Sequence, residues 1–216
     1  MDIDIDVYRN IHKAIRSELF ATTTDAGRTD WADECARAAL AERVDGLVWL
    51  LKEHAEHEDH FFQALVEAHV PQHAATIVDD HAHLDARIAG LGKAAHEAVD
   101  RSDLHELHLE LGSFTAVYLQ HQDLEEREVQ PALLAAVGPQ VLFEQEQALI
   151  ASIPPADMGR SLALMLPAMN LDDRAEMLGG MQVGAPAEVF AGVWALAQSV
   201  LQPTDATALG RRLGVA

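Results

Sequence analysis

The chain has 216 residues, 49% hydrophobic and 5% aromatic, which allows a sizeable helical core in one domain, with or without an appendage. A formal net charge of −20 excludes nucleic acid and anionic membrane surfaces as partners, since both present phosphates. The single cysteine, Cys35, excludes an intrachain disulfide and fits a reducing, cytoplasmic compartment.

No window carries the ~18 uncharged apolar residues of a membrane span. The acidic start, Met1 to Asp6, lacks the basic and apolar regions of a secretory signal, so none is expected. A first helix is expected from an N-cap at Asp4 or Asp6. Its stripe is Ile5, Tyr8, His12, Ile15 and Leu19, in steps of three and four. The polar run 22–30, which contains Gly27, reads as a loop. A second helix then runs from about residue 29 or 30 to 68. Its stripe is Leu40, Val44, Leu47, Leu51, His54, Glu58, Phe61 and Leu65. Pro71 marks a turn. The third helix, 72–99, carries Ala74, Ile77, His81, Leu84, Ile88, Leu91 and Ala95 on one face. Gly90 and Gly92 weaken it by ~1 kcal/mol each and favour a bend. Ser102 or Asp103 is expected to cap a fourth helix running to about residue 136, with Pro131 kinking or stopping it near its end. Its stripe is Leu104, Leu107, Leu111, Phe114, Tyr118, His121, Glu125 and Val129.

These elements predict an all-α fold, an up-down-up-down antiparallel four-helix bundle over residues 1–138. Folding the chain back at Arg101 brings His81 level with His121. Folding at Pro71 leaves Glu58 about 5 Å from the height of His81, at ~1.5 Å per residue. Residues 139–216 contain no histidine and read as a helical extension packed on the bundle or on a dimer partner. Helices are expected at 141–153, 161–169, around 171–178, and at 186–201. Pro154-Pro155 and Gly179-Gly180 serve as breaks, and a last short helix follows Pro203.

All 12 histidines lie between His12 and His121. Each bundle helix places one on its apolar stripe: His12, His54, His81 and His121. Glu58 and Glu125 follow two of them at i+4. One histidine on an apolar face is ordinarily a satisfied core residue. Four histidines and two glutamates converging on one core would cost many kcal/mol without a compensating cation. Nitrogen and carboxylate donors with no thiolate suit iron or manganese, and zinc less specifically. In helical bundles such donors build dinuclear, carboxylate-bridged sites. His57, at the edge of the stripe, is a further ligand candidate. So is Asp85, at i+4 from His81, which is alternatively an orienting acceptor. Tyr8 and Tyr118 sit one turn from His12 and His121. Core packing, proton donation and direct ligation are all open to them. His60, His69, His73, His83, His96, His105 and His108 read as surface or incidental metal-binding residues.

The pattern resembles the haemerythrin-like, or HHE cation-binding, family over roughly residues 4–137. It comprises His12 on an early helix, His54-x-x-x-Glu58 followed by Asp59-His60-Phe61-Phe62, Asp80-His81 on the third helix, and His121-x-x-x-Glu125-Glu126 before Val129-Gln130-Pro131. The resemblance implies two oxo- or hydroxo-bridged irons, with manganese or zinc as lesser candidates. Glu58 and Glu125 would be the bridging carboxylates, and His12, His54, His81 and His121 terminal ligands. The oxygen-carrying members have His-x-x-x-His on the third helix, but here His81 has Ile77 at i−4 and Asp85 at i+4. They also have His-x-x-x-x-Asp on the fourth, where this chain has His-x-x-x-Glu. One histidine is therefore missing or replaced, by His57, Asp85 or a tyrosine, and the extra open positions favour chemistry over simple carriage.

The reading that follows is a diiron oxidoreductase, oxygenase-like or peroxidase/catalase-like, acting on O2 or peroxide and on any small organic substrate that fits. The alternative is a protein that senses, carries or stores O2, NO or iron without turnover. A homodimer through 139–216 is a further expectation.

Overall fold

The computed structural model describes residues 5–215. The all-α expectation holds, with no strand among these residues. The chain forms two compact units, Met1–Ser152 and Ile153–Ala216.

The first unit contains α1 (Arg9–Arg28), α2 (Glu34–Phe61), α3 (Gln63–His69), α4 (Pro71–Glu97), α5 (Arg101–Leu124), a π-helical turn (Glu125–Val129) and α6 (Gln130–Ser152). Helices α1 and α4 each pack against both α2 and α5, so the four long helices close a ring. Their contacts descend on one helix as they ascend on the next. Between α1 and α5 with the π-turn that continues it, His12 meets Glu126 while Thr23 meets Thr115. Between α2 and α4, Asp59 meets His81 while Asp45 meets His96. These two pairs are thus antiparallel. Fully buried Ile15, Leu19, Leu47, Leu51, Ile88, Leu111 and Phe114 fill one end of the ring. Ile5, Val66, Val70, Ile77, Val129, Leu133 and Leu142 form an apolar cluster at the other. Leu142 belongs to that cluster, so the chain beyond 138 stays with the bundle, and the units divide at 152/153 rather than at the expected 138/139.

Several boundaries differ from expectation. The 22–30 loop is helix as far as Arg28. The hydroxyls of Thr23 and Thr24 donate to the carbonyls of Leu19 and Phe20, so these residues satisfy themselves within the helix. Gly27 permits close approach rather than a break, because a Cβ there would lie 2.9 Å from His108 Cε1. Asp4 lies outside the described residues. Asp6 accepts from the N–H groups of Tyr8 and Arg9 at the start of α1. The second helix starts after Asp33, whose carboxylate accepts from Cys35 and Ala36, and it breaks at Phe62 (φ −115°, ψ −27°). Phe62 is buried, and α3 restarts at once with Val66 in the core. Helix α4 begins on Pro71 and runs unbroken through Gly90 and Gly92. Asp100, not Ser102 or Asp103, caps α5, and Asp103 completes a capping box. Helix continues past Pro131. The wide turn 125–129 lies just before it, where an α-helix would press the proline ring against the residue 127 carbonyl. Gly138, at φ 79°, then turns the chain sharply within α6 ahead of Pro139.

The second unit holds α7 (Pro155–Ala168), α8 (Leu171–Gly184), α9 (Ala187–Val200) and α10 (Pro203–Leu213). Helix α8 passes through Gly179-Gly180, where a break was expected. Leu162, Leu166, Leu178, Ala197, Leu201 and Leu209 form this unit's own core.

Candidate metal centre

Along each long helix of the ring, the polar stripe residue lies between the two apolar layers. His12 stands between Ile5 and Ile15, His54 and Glu58 between Leu51 and Val66, His81 between Ile77 and Leu84, and His121 and Glu125 between Phe114 and Val129. Helical spacing of three and four therefore delivers all six to one level of the bundle. None is more than 6% exposed.

They assemble as two overlapping groups, each able to hold a metal ion: His12, His54, Glu58 and Glu125, and Glu58, His81, His121 and Glu125. His12 Nε2 lies 3.1 Å from His54 Nε2. In the first group, Glu58 Oε1 is 3.3 Å from His54 Nε2 and Glu125 Oε2 is 3.4 Å from His12 Nε2. In the second, Glu58 Oε2 is 3.5 Å from His81 Nε2 and Glu125 Oε1 is 3.2 Å from His121 Nε2. Each carboxylate thus turns one oxygen to each group, which is how a bridging carboxylate serves two ions.

The donor set fits a cation. Both oxygens of Glu58, Oε2 of Glu125 and Nε2 of His81 are buried without a hydrogen-bond partner among the described residues. Leaving buried acceptors bare costs free energy that an ion at this place removes. Burial pushes the His54 imidazole down to about 3, against Glu58, so it stays neutral. Burial also works against the charge on His81, but the Glu58 and Asp59 carboxylates outweigh it and hold the imidazole up to about 9. His121 is likewise raised by Glu125 in spite of burial. Without a cation, these histidines hold the protons that a metal would displace.

The outward-facing nitrogens show a second regularity. His81 Nδ1 bonds Asp59 at 2.7 Å, His121 Nδ1 bonds Asp80 at 3.4 Å, and His12 Nδ1 bonds Glu126 at 2.9 Å. Arg16 grips both oxygens of Glu126, at 2.6 and 3.0 Å. Burial opposes charge on Glu126, yet His12 and Arg16 bring its carboxyl down to about 2. Each of these carboxylates fixes a ring's orientation and tautomer from the neighbouring helix. No role was expected for Arg16, Asp59, Asp80 or Glu126. A signal exists: each acid is adjacent in sequence to a stripe donor of its own helix, Asp59 to Glu58, Asp80 to His81 and Glu126 to Glu125.

The remaining candidates lie apart. His57 is half-buried beside a surface groove that it lines with Glu56, Asp59 and His60, outside both donor groups. Asp85 is exposed and also outside them. Tyr8 and Tyr118 are buried, with ring centres 5.1 Å from His12 and 5.9 Å from His121. Burial, with Glu58 and Glu125 adding to it, pushes both phenols well above their usual range, so they keep their protons.

The family profile of the Hemerythrin HHE cation binding domain matches residues 4–133. No curated protein and no solved structure matches the chain.

Proposed function

The chain belongs to the hemerythrin HHE cation-binding domain family, and from that premise we propose that it is a non-haem diiron protein that binds and reduces or activates O2 or peroxide. The observation that carries this reading is the pair of donor groups sharing Glu58 and Glu125. Each group offers two imidazoles and one oxygen from each glutamate. That is four donors for an ion that takes about six, which leaves positions for exogenous ligands. When bound, the irons supply Lewis acidity and electrons for oxygen chemistry.

The chain's own residues do the rest. His54, neutral, presents its nitrogen without first losing a proton. Asp59, Asp80 and Glu126 hold three rings in register. Tyr8 and Tyr118, kept protonated, stand one turn from the donors, where a phenol can serve as a hydrogen-bond donor. Six donors at 6% exposure or less favour a diatomic or peroxide ligand over a bulky organic one.

The test is metal analysis of protein produced with iron, with an absorption spectrum, followed by rapid mixing of the reduced protein with O2 and with peroxide. Two irons per chain, charge-transfer bands and, with excess chemical reductant supplied, repeated consumption of oxidant are expected. A metal-free chain of equal stability, or one zinc, would sink the diiron reading. One bound oxidant per site with no turnover would leave sensing or carriage in its place.

A further inference from the structure

The two donor groups are matched in their inner ligands, with two imidazoles and one oxygen from each shared glutamate. Any difference between them must come from the groups behind. At the His81–His121 position, both outer nitrogens rest on aspartates, Asp59 and Asp80. Neither aspartate is paired with an arginine or lysine among the described residues. At the His12–His54 position, only His12 has such a carboxylate. That carboxylate, Glu126, is clamped by Arg16, so the pair adds no net charge. The nearby Asp6 is likewise bonded to Arg9. Two uncompensated negative charges stand behind one position and none behind the other.

We propose that Asp59 and Asp80 make the His81–His121 position the tighter of the two metal positions, so that it fills first and the His12–His54 position fills second and exchanges more readily. This rests on the dinuclear reading above. Carboxylates behind imidazoles raise their basicity and draw a cation by their charge. Outer partners of this kind change metal affinity by roughly 10–100-fold. The Arg16 guanidinium acts in the opposite sense at the other position.

Cobalt(II) is a suitable probe, titrated into the full-length metal-free chain against a competing chelator and followed by its visible absorption. Mutual repulsion of two cations would separate two affinities even in a symmetric site, so the single-position variants decide. His12→Gln is expected to keep one equivalent at the tight affinity. His121→Gln is expected to keep one equivalent bound at least tenfold more weakly. Asp59→Asn with Asp80→Asn, both at exposed side chains and so compatible with folding, is expected to close most of that gap while still binding two equivalents. Equal affinities in the two single-position variants, or an unchanged gap after the aspartate changes, overturns the inference alone. A wild-type chain that binds fewer than two equivalents overturns the dinuclear reading and the inference with it.

Discussion

Glu125 is 1% exposed, and one of its oxygens has no partner among the described residues. A carboxylate so placed is a liability unless a cation takes it up. On the diiron reading proposed above, Glu125→Ala is therefore expected to lower metal content from two ions to at most one after gel filtration. It should also lower the metal-dependent rise in stability, which is about 2.7 kcal/mol per site at a free metal level 100-fold above Kd. Retention of both ions would refute its bridging role. His81 adds a pH dependence. Its imidazole is raised from an ordinary 6.5 to about 9, because Glu58 and Asp59 outweigh burial. In the metal-free chain, that contribution to stability is complete below 6.5 and is lost as pH rises through about 9. Metal binding has the opposite sign, since it needs the nitrogen that carries the proton. Protons are expected to leave on loading, and apparent affinity to climb between pH 6.5 and 9. An indicator dye in weak buffer measures the release, and a flat affinity over that range would contradict it. The convergence of the six candidate donors was legible because each interrupts an otherwise apolar stripe. Arg16, Asp59, Asp80 and Glu126 were not, since a polar residue beside the stripe looks solvated until its partner on the next helix is known. His57 and Asp85 have plausible spacing along their own helices, but helical phase turns them away from the donors.

At the scale of elements, helix periodicity carried the reading and local chemistry modified it. The stripes fixed which face of each helix turns inward, but the composition of 22–30 favoured a loop that the structure lacks. Threonine hydroxyls bonded to carbonyls one turn back, with buried Thr22 and Ala26, keep α1 helical through this run. Gly27 then allows α1 to approach His108, whose Nδ1 bonds the Thr23 carbonyl at 3.1 Å. A methyl group at 27 would displace that ring, whereas one at Gly112 in α5 meets nothing within 4 Å. Gly112→Ala should stabilise the chain by up to about 1 kcal/mol through helix propensity. Gly27→Ala should come out at least ~1 kcal/mol less stable than Gly112→Ala, since it adds crowding and loses a hydrogen bond. Urea unfolding of the two variants compares them directly, and equal stabilities would mean the close approach is not needed. The π-turn at 125–129 had only Pro131 to announce it, and a proline near a helix end signals a stop as readily as a widened turn.

At the scale of the molecule, the division of labour follows the cores. All six inner donors, and the four residues that orient them, fall between His12 and Glu126, inside the first unit. A charge of −20 over the whole chain lowers the cost of bringing cations to it. Among the described residues, no helix is long and apolar enough to cross a membrane. The second unit has its own apolar cluster and an ion pair between buried Arg174 and half-exposed Asp205. Arg174, 6% exposed, donates to the carbonyls of Leu166 and Pro167 at the end of α7, at 2.7 and 3.2 Å, and to Asp205 on α10 at 3.0 Å. One side chain thus ties three helices, α7, α8 and α10, and satisfies carbonyls that α7 leaves open at its C-terminus. Arg174→Met keeps much of the volume but leaves those acceptors unpaired, at a cost of roughly 3 kcal/mol. Because no donor to the metal centre lies in this unit, the loss should be local. Hydrogen exchange should accelerate across α7 to α10, while metal content and the absorption spectrum match the unmodified chain. A variant that also loses metal would show that the second unit supports the centre through a route other than ligation. Unchanged exchange across α7 to α10 would show that Arg174 is not the tie its contacts describe.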